Sequence, residues 1–209
     1  MTTGTLTASP DIDALRDDLQ RICILNKDID LSSGSHAKYY FDGKAGMALP
    51  SVARKIGRLM APIVLAARVQ GMGGLELGSI SVADAIGEAL LDDDIDMPKF
   101  IVRKEEKTHG TKTKIEQPKL SDGLPLISPG RTVAVVDDVI TKGTSVLDAI
   151  APVEASGSKV GLIAVIVERH EGGADTLRAE GYDVVSLFRA DEAGRLSVNE
   201  QYLERLSAL

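Results

Sequence analysis

The sequence predicts an α/β fold, a mostly parallel sheet flanked by helices. Three observations carry this prediction. Residues 132–136, T-V-A-V-V, form a short and largely β-branched run, which is typical of a strand buried on both faces of a parallel sheet. The next segment places apolar residues at helical spacing, at Val146, Ile150 and Val153, and a longer apolar run over 159–167 follows it. A strand, a helix and a second strand in this order form the unit from which parallel sheets are built.

Composition and charge restrict the class of protein. With 209 residues, 44% of them hydrophobic and 26% charged, the chain can form one domain with a substantial core. A net charge of −7, 3% aromatic residues and no Trp argue against a nucleic-acid partner. The single cysteine, Cys23, excludes an intramolecular disulfide and a cysteine-based zinc site. Residues 1–10 lack the features of a secretory signal and no apolar stretch approaches a membrane span, so we expect a cytoplasmic protein.

The N-terminal half is predicted to contain two amphipathic helices before the sheet begins. The first starts at Asp11, and its apolar face consists of Ile12, Leu15, Leu19, Ile22 and Cys23. The second starts at Pro50, and Pro62 is expected to end or kink it. A glycine-rich segment over 71–79 then leads into a helix over 81–91.

The acidic run at 92–96 is predicted to be an exposed turn, because it lacks the glycine and the later Glu of a calcium loop. Lys99–Val102 is predicted to be a strand. A segment over 117–131, rich in proline, connects the middle of the chain to the central strand. The remaining predicted elements are a helix from about Ala174, a strand over Val184–Leu187 and a helix near 198–207.

The central strand is followed by a pattern that points to a ligand. Asp137 and Asp138 come at its carboxyl end, where open α/β sheets place their ligands. Residues 141–145, T-K-G-T-S, lie between this strand and a helix, so their free backbone N–H groups can bind an anion such as a phosphate. The carboxylates would repel that phosphate but accept hydrogen bonds from sugar hydroxyls. A ribose 5-phosphate meets both conditions, and the acidic pair would also stabilise a cation developing at C1.

A simpler interpretation of the acidic pair is that it only ends a strand and caps a helix. The complete string, an apolar strand, D-D and then T-K-G-T-S, is far more specific than the pair alone. The chain contains neither G-x-G-x-x-G nor G-K-[ST], which argues against a dinucleotide fold and a P-loop.

This string resembles the phosphoribosyl-pyrophosphate signature of the type I phosphoribosyltransferases, a hydrophobic strand, an acidic pair and T-x-G-T/S. The resemblance implies the type I phosphoribosyltransferase fold, with a mostly parallel sheet flanked by helices and a small N-terminal hood. It also implies that the loop over Gly73–Ser79 holds the pyrophosphate. The residues implied to bind phosphoribosyl pyrophosphate are Asp137, Asp138, Val139, Ile140, Thr141, Lys142, Gly143, Thr144 and Ser145.

The segment over 31–44 contains three of the seven aromatic residues beside a Gly/Ser turn. Its pattern alone is compatible with a β-hairpin. It also resembles the segment near the N-terminus of orotate phosphoribosyltransferases that forms the hood over the base. The resemblance implies that Tyr40 and Phe41 contact the pyrimidine ring. Some members carry a Lys where Ser32 stands here, and Lys44 is the residue that could supply this charge.

A cluster of basic residues lies in the loop after Lys99–Val102. The loop is too polar for the core and too long for a tight turn, and a solvated loop is one interpretation. Its string R-K-E-E-K-T-H-G resembles the R-K-E-x-K-x-H-G loop of orotate phosphoribosyltransferases, which closes over the active site of the neighbouring subunit. The residues implied to contact the pyrophosphate are Arg103, Lys104, Lys107 and His109. His109 could carry a proton as well as a charge.

Arg169 follows the long apolar run, and an Arg at the matching position of the family contacts the orotate. The resemblance therefore implies an orotate phosphoribosyltransferase that forms orotidine 5′-monophosphate in de novo pyrimidine biosynthesis, with Lys107, His109, Asp137 and Asp138 as catalytic residues. It implies Mg²⁺ held by pyrophosphate and water rather than by side chains. It further implies a homodimer in which the mobile loop over 103–117 acts in trans. The predicted divisions are an N-terminal helix and hood over 1–44 and a core over 45–209.

Two other functions remain open at this point. A purine phosphoribosyltransferase would share the phosphate and ribose residues, but the basic loop and the hood segment favour orotate. A regulator that senses phosphoribosyl pyrophosphate without catalysis would need an output surface, and the chain shows neither an appended DNA-binding pattern nor a basic stripe.

Overall fold

The computed structural model describes residues 11–25, 29–30, 36–37, 39–105 and 114–209. The helices are α1 (Asp11–Ile22), α2 (Gly43–Met47), α3 (Pro50–Ala66), α4 (Gly78–Leu91), α5 (Thr144–Ala155), α6 (Gly173–Ala179) and α7 (Glu200–Ser207). The strands are β1 (Ile24–Leu25), β2 (Ile29–Asp30), β3 (His36–Ala37), β4 (Tyr40–Phe41), β5 (Met72–Leu75), β6 (Lys99–Val102), β7 (Ile115–Glu116), β8 (Thr132–Ile140), β9 (Lys159–Arg169), β10 (Val184–Ala190) and β11 (Leu196–Val198).

The main sheet has seven strands in the order β11-β10-β9-β8-β5-β6-β7. The five inner strands are parallel, and β11 and β7 pair antiparallel at the two edges. Two small antiparallel pairs, β1 with β4 and β2 with β3, lie outside this sheet. The predicted α/β architecture with a mostly parallel sheet is confirmed.

The strand order reverses between β5 and β8. From β5 the chain continues outward to β6, whereas from β8 it continues in the opposite direction to β9 and β10. Loops that leave the carboxyl ends of such a strand pair separate and create a crevice, which is where open α/β sheets bind their ligands. The fold therefore places the end of β5 and the end of β8 on either side of one site.

Two apolar layers cover the two faces of the sheet. Along β8, Ala134 and Val136 pack in a cluster with α1, α3 and α4, whereas Val133 and Val135 pack in a second cluster with α5 and α6. This alternation follows from the two-residue period of a strand. The first cluster contains Cys23, which is fully buried as predicted; burial raises the pKa of its thiol to about 11.

Several helices and strands are longer than the sequence predicts. Pro62 does not end α3, which continues to Ala66, because buried side chains on both sides of the proline hold the helix against the core. The helix α4 begins at Gly78, three residues before the predicted start.

Three strands also extend beyond their apolar runs. β8 reaches Ile140 and β9 reaches Arg169, because the pairing between the two strands continues to the register Ile140 with Glu168. β10 reaches Ala190 and is paired with β11, a strand that the sequence pattern did not predict. The ends of these strands depend on hydrogen bonding to a neighbouring strand, which cannot be predicted from the hydropathy of one strand alone.

The described residues contain no helix that is both long and apolar enough to cross a membrane.

Gly57 is required where α3 crosses α4. A Cβ at Gly57 would lie 2.0 Å from the carbonyl oxygen of Ala85, which is backbone and cannot rotate away. We expect Gly57→Ala to lower the free energy of unfolding by about 1–3 kcal/mol, measured by urea denaturation. Gly87→Ala is the matched control, because a Cβ there meets only Met72 Cε, at 3.6 Å. It should raise the free energy of unfolding by about 0.5–1 kcal/mol, since alanine favours helix. Equal effects of the two variants would contradict this account of the crossing.

Candidate active site at the carboxyl end of the sheet

A cavity of 530 Å³ opens at the carboxyl ends of β5 and β8, where the strand order reverses. Its size is typical of a site for a small molecule. The predicted site residues that line it are Tyr40, Phe41, Lys104, Asp137, Asp138, Val139, Thr141, Lys142, Thr144, Ser145 and Arg169. Residues from the N-terminal segment, the central strand, the turn before α5 and the end of β9 thus meet in one place.

The acidic pair lies within β8, with Asp137 buried and Asp138 partly exposed. The backbone N–H of Asp138 donates to Oδ1 of Asp137 over 2.9 Å. Burial, together with the adjacent carboxylate of Asp138, raises the pKa of Asp137 to about 8. Burial raises the pKa of Asp138 as well. The buried pair therefore holds a proton more tightly than free carboxyl groups do, and a positive charge nearby would favour its release.

Two glycines make room for the acidic pair, and neither role is apparent from the sequence. A Cβ at Gly43, in α2, would lie 2.4 Å from Oδ2 of Asp138. A Cβ at Gly78, the first residue of α4, would lie 2.7 Å from Oδ1 of Asp138 and 2.8 Å from Oδ1 of Asp137. Both helices therefore approach the carboxylates with bare backbone. The sequence signal of these glycines is weak, because glycine is tolerated at the start of many helices that contact no carboxylate.

The turn between β8 and α5 consists of residues 141–143, and Thr144 and Ser145 already belong to the first turn of the helix. Gly143 is in the left-handed region, with φ +84°, which glycine adopts without strain. The turn therefore presents the N-terminus of α5 to the cavity, and its free N–H groups and helix dipole attract an anion. The phosphate site predicted from the T-K-G-T-S string stays a prediction, and its residues Thr141, Lys142, Thr144 and Ser145 line the cavity.

The first residue of α6, Gly173, packs against the backbone of this turn. The N–H of Gly173 donates to the carbonyl of Thr141 over 2.9 Å. A Cβ at Gly173 would lie 2.3 Å from that carbonyl oxygen and 2.5 Å from the backbone nitrogen of Gly143. Backbone contacts backbone here, so the position of the turn depends on a glycine at 173.

Arg169 also lines the cavity, and it is the last residue of β9 rather than a residue beyond it. It is 6% exposed, and its Nη2 forms an ion pair with Oε1 of Glu171 at 2.8 Å. Its Nε donates to the hydroxyl of Tyr39 over 3.0 Å. Neither Glu171 nor Tyr39 was among the predicted site residues, because both act through contacts that the folded chain creates.

Lys44 lines the cavity near the acidic pair. Partial burial lowers the pKa of Lys44, but the carboxylates of Asp42 and Asp138 favour the charged form, and the pKa is raised overall. It forms an ion pair with Asp42 at 3.4 Å. A positive charge therefore stands at the cavity, and the replacement of a basic contact at Ser32 by Lys44 stays a prediction. Ser32 itself lies outside the described residues.

Of the predicted mobile loop over 103–117, the structure describes only the two ends, 103–105 and 114–117. Lys104 lines the cavity, and its backbone N–H donates to the carboxylate of Glu76 over 3.0 Å. Arg103 is not among the lining residues; its N–H donates to the carbonyl of Lys114, and the short strand β7 lies within the segment predicted as loop. Lys107 and His109 lie outside the described residues.

Two other predicted residues do not line the cavity. Ile140 is 1% exposed and packs in the cluster with α5, and Gly143 contacts α6. The glycine-rich loop predicted over Gly73–Ser79 is shorter than expected, since Gly73 and Gly74 belong to β5. Close backbone approach explains these two glycines, because a Cβ at Gly73 would lie 1.9 Å from the carbonyl oxygen of Phe100.

Within the described part of the chain, no three or more His, Cys, Asp or Glu side chains are grouped so that they could hold a metal ion. The acidic pair supplies two carboxylates, fewer than a metal cage made of protein side chains requires. A divalent cation at this cavity would need further oxygen ligands from a substrate and from water.

Comparisons with known proteins agree with this geometry. Residues 49–191 match a family model described as a phosphoribosyl transferase domain. The chain is 37% identical over 162 residues to an orotate phosphoribosyltransferase of Aquifex aeolicus, covering 78% of this chain and 84% of the relative. A crystal structure of Mycobacterium tuberculosis orotate phosphoribosyltransferase with Fe(III) dicitrate is similar, with a TM-score of 0.70 and 33% identity over 85% of this chain and 95% of the other. The same enzyme with phosphoribosyl diphosphate matches with a TM-score of 0.68 and 30% identity, covering 85% of this chain and 94% of that one.

Proposed function

The chain belongs to the orotate phosphoribosyltransferases of the phosphoribosyl transferase family, and from this membership we propose how its cavity works. The reaction transfers the 5-phosphoribosyl group from phosphoribosyl pyrophosphate to orotate, giving orotidine 5′-monophosphate and pyrophosphate in de novo UMP biosynthesis. One observation supports it best. The acidic pair and Arg169 line the same cavity as Thr141, Lys142, Thr144 and Ser145.

The acidic pair is proposed to hold the ribose. Its 2′- and 3′-hydroxyls would donate to the carboxylates of Asp137 and Asp138, while the 5′-phosphate accepts from the backbone N–H groups over 141–145. As the C1–O bond breaks, its electron pair leaves with the pyrophosphate, and positive charge develops on the ribosyl ring. Carboxylates fixed beside that ring stabilise this charge without having to reorganise. The new bond then forms between C1 and N1 of orotate, and the proton of N1 leaves to water or to the pyrophosphate.

Cationic groups are proposed to receive the pyrophosphate. Lys104 lines the cavity, and the basic loop that it begins would bring Lys107 and His109 over the departing group. The diphosphate and water would offer the oxygen ligands that Mg²⁺ requires, without a protein side chain bound directly to the ion. When bound, Mg²⁺ would neutralise part of the charge that develops on the leaving group. A closed loop would also keep water from capturing the ribosyl cation.

The base is proposed to bind between Arg169 and the aromatic residues of β4. Tyr40 and Phe41 line the cavity and offer flat apolar surface to a pyrimidine ring. The guanidinium of Arg169 donates hydrogen bonds in a fixed plane, which suits the planar oxygens of orotate. Lys44 supplies a further positive charge for an anionic base.

A homodimer in which the basic loop completes the site of the partner subunit is part of the proposal, as is a cytoplasmic location. The support for the dimer is the loop string R-K-E-E-K-T-H-G, which resembles the loop that closes over the neighbouring subunit in orotate phosphoribosyltransferases. The loop starts at the cavity rim, at Lys104, and returns to the sheet edge at β7.

Substrate profiling tests the function. We expect orotate absorbance to fall only when phosphoribosyl pyrophosphate and Mg²⁺ are both present, and to recover when pyrophosphate is added in excess. Adenine and hypoxanthine should give no product. Turnover of a purine without turnover of orotate would favour a purine phosphoribosyltransferase. Binding of phosphoribosyl pyrophosphate without turnover of any base would favour a regulator.

Gly173→Ala should specifically weaken the binding of phosphoribosyl pyrophosphate. The new Cβ would displace the turn over 141–143 from behind, because its nearest neighbours are backbone atoms. We expect the KM for phosphoribosyl pyrophosphate to rise at least about tenfold, since small displacements of binding groups are costly. The KM for orotate should change much less. Gly87→Ala serves as the control and should leave both constants unchanged, and an unchanged KM for phosphoribosyl pyrophosphate in Gly173→Ala would remove the supporting role of α6.

A further inference from the structure

Tyr39 contacts Arg169 but does not line the cavity. It is 1% exposed, whereas its neighbours Tyr40 and Phe41 do line the cavity. Burial raises the pKa of the Tyr39 phenol, so the hydroxyl stays neutral and its oxygen accepts the hydrogen bond from Nε of Arg169. The residue is therefore placed to act on a ligand only through Arg169.

The contact with Arg169 has two components. The hydroxyl of Tyr39 accepts the Nε hydrogen over 3.0 Å, and the guanidinium carbon lies 4.2 Å from the centroid of the Tyr39 ring. Nη2 of the same guanidinium forms an ion pair with Oε1 of Glu171 at 2.8 Å. A guanidinium has five N–H donors in one plane. Because its Nε edge and one amino group are occupied by these two residues, its plane and the direction of its remaining donors are fixed.

The ring of Tyr39 packs against the turn between β10 and β11. A Cβ at Gly194 would lie 2.7 Å from Cγ of the Tyr39 ring, so the ring packs directly on the glycine backbone. Gln20 of α1 donates to the carbonyl of Gly194 over 3.0 Å and accepts from the N–H of Leu196 over 2.8 Å. The ring thus rests on a turn that is bound to α1.

We propose that Tyr39 is a positioning residue for base selection, which holds the guanidinium of Arg169 at the angle that orotate requires. The inference rests on the proposed function, because it assigns the remaining donors of Arg169 to the base. Glu171 and Tyr39 together hold two nitrogens of the guanidinium, Nη2 and Nε. A side chain as long as Arg loses considerable rotational freedom when it binds a ligand, and fixing it in advance removes that cost from orotate binding.

The test compares Tyr39→Phe with Tyr202→Phe by steady-state kinetics. Tyr39→Phe removes the hydroxyl and keeps the ring, and we expect the KM for orotate to rise about tenfold, in keeping with loss of a hydrogen bond to a charged group. The KM for phosphoribosyl pyrophosphate should stay within about twofold, because its binding groups are untouched. Tyr202 is the matched control: it is buried, its hydroxyl donates to the carbonyl of Leu59 over 3.0 Å, and it lies outside the cavity. Tyr202→Phe should leave both constants unchanged.

A double-mutant cycle shows whether Tyr39 acts through Arg169. Once Arg169 is replaced by Lys, the Nε donor is gone, so adding Tyr39→Phe should raise the KM for orotate no further. An additive effect in the double variant would overturn the inference, and so would an equal rise in both KM values in Tyr39→Phe. Failure of the wild-type enzyme to consume orotate would instead overturn the proposed function, and the two failures are thereby distinguished.

Discussion

Asp137→Asn and Asp138→Asn should each lower kcat by about 100-fold or more, while the fold is retained. Each substitution replaces a carboxylate by an amide of the same shape, which still accepts a hydrogen bond from a ribose hydroxyl. It removes the negative charge that the pair would gain when the proton held by Asp137 in the free protein leaves, and that charge would stabilise the developing ribosyl cation. The loss should therefore appear mainly in kcat rather than in the KM for phosphoribosyl pyrophosphate. Asp148→Asn, at a position of α5 outside the cavity lining, is the matched control and should be as active as the wild type.

Asp137→Asn should also stabilise the protein. Burial and the neighbouring carboxylate raise the pKa of Asp137 to about 8, so the folded state holds a proton that the unfolded state releases. The pKa of Asp137 is near 4 in the unfolded state and near 8 in the folded state. Between these two pH values, the carboxyl of Asp137 therefore lowers the free energy of unfolding progressively as the pH rises. Asparagine carries no charge at any pH in this window. We expect Asp137→Asn to unfold at about the same urea concentration as the wild type at pH 4 and at a higher one at pH 8.

An Asp137→Asn variant that keeps wild-type kcat would contradict the proposed role of the charge. A variant whose stability relative to the wild type is the same at both pH values would contradict the buried, charge-disfavouring environment. The two measurements are independent, since one follows the chemistry and the other follows only the free energy of unfolding.

Mixing two inactive variants should restore activity if the basic loop works on the partner subunit. Lys107→Ala removes a charge from the loop, and Asp138→Asn disables the ribose site. In a hybrid dimer one site combines an intact acidic pair with an intact loop from the other subunit, and the second site carries both defects. Random exchange of subunits makes half of the dimers hybrid, so about a quarter of the wild-type activity should return, as the twofold symmetry requires.

The control for the hybrid experiment is Lys159→Ala, an exposed lysine at the start of β9, which should be active without mixing. Subunit exchange can be verified by separating tagged and untagged dimers. Exchange without any recovered activity would mean that each loop serves its own subunit. The ribose and phosphate sites would be unaffected by that result, because they are formed within one chain.

The parts of the site that could be predicted are those encoded in one continuous string. Asp137, Asp138 and the turn over 141–145 follow each other in the chain, and the end of a parallel strand brings them to one edge of the sheet by geometry alone. The predicted fold class is correct for a similar reason. Alternating strand and helix patterns are local, and a right-handed crossover leaves few arrangements open.

The supporting residues could not be found in this way. Gly43 and Gly78 matter because two separate helices approach the acidic pair, and Gly173 matters because α6 packs against a turn that precedes α5 and β9 in the chain. Tyr39 contacts a side chain 130 positions away. Contacts of this kind depend on the assembled fold, and a single sequence carries no periodic signal for them. The ends of β8, β9 and β10 were misjudged for the same reason, because pairing rather than hydropathy extends them.

The most direct test of the account is a crystal structure of the protein with phosphoribosyl pyrophosphate and Mg²⁺. The account predicts that the 2′- and 3′-hydroxyls lie within about 3 Å of the carboxylates of Asp137 and Asp138, and that the 5′-phosphate accepts hydrogen bonds from the backbone N–H groups over 141–145. A ribose bound away from the acidic pair, or a 5′-phosphate bound anywhere other than this turn, would contradict it.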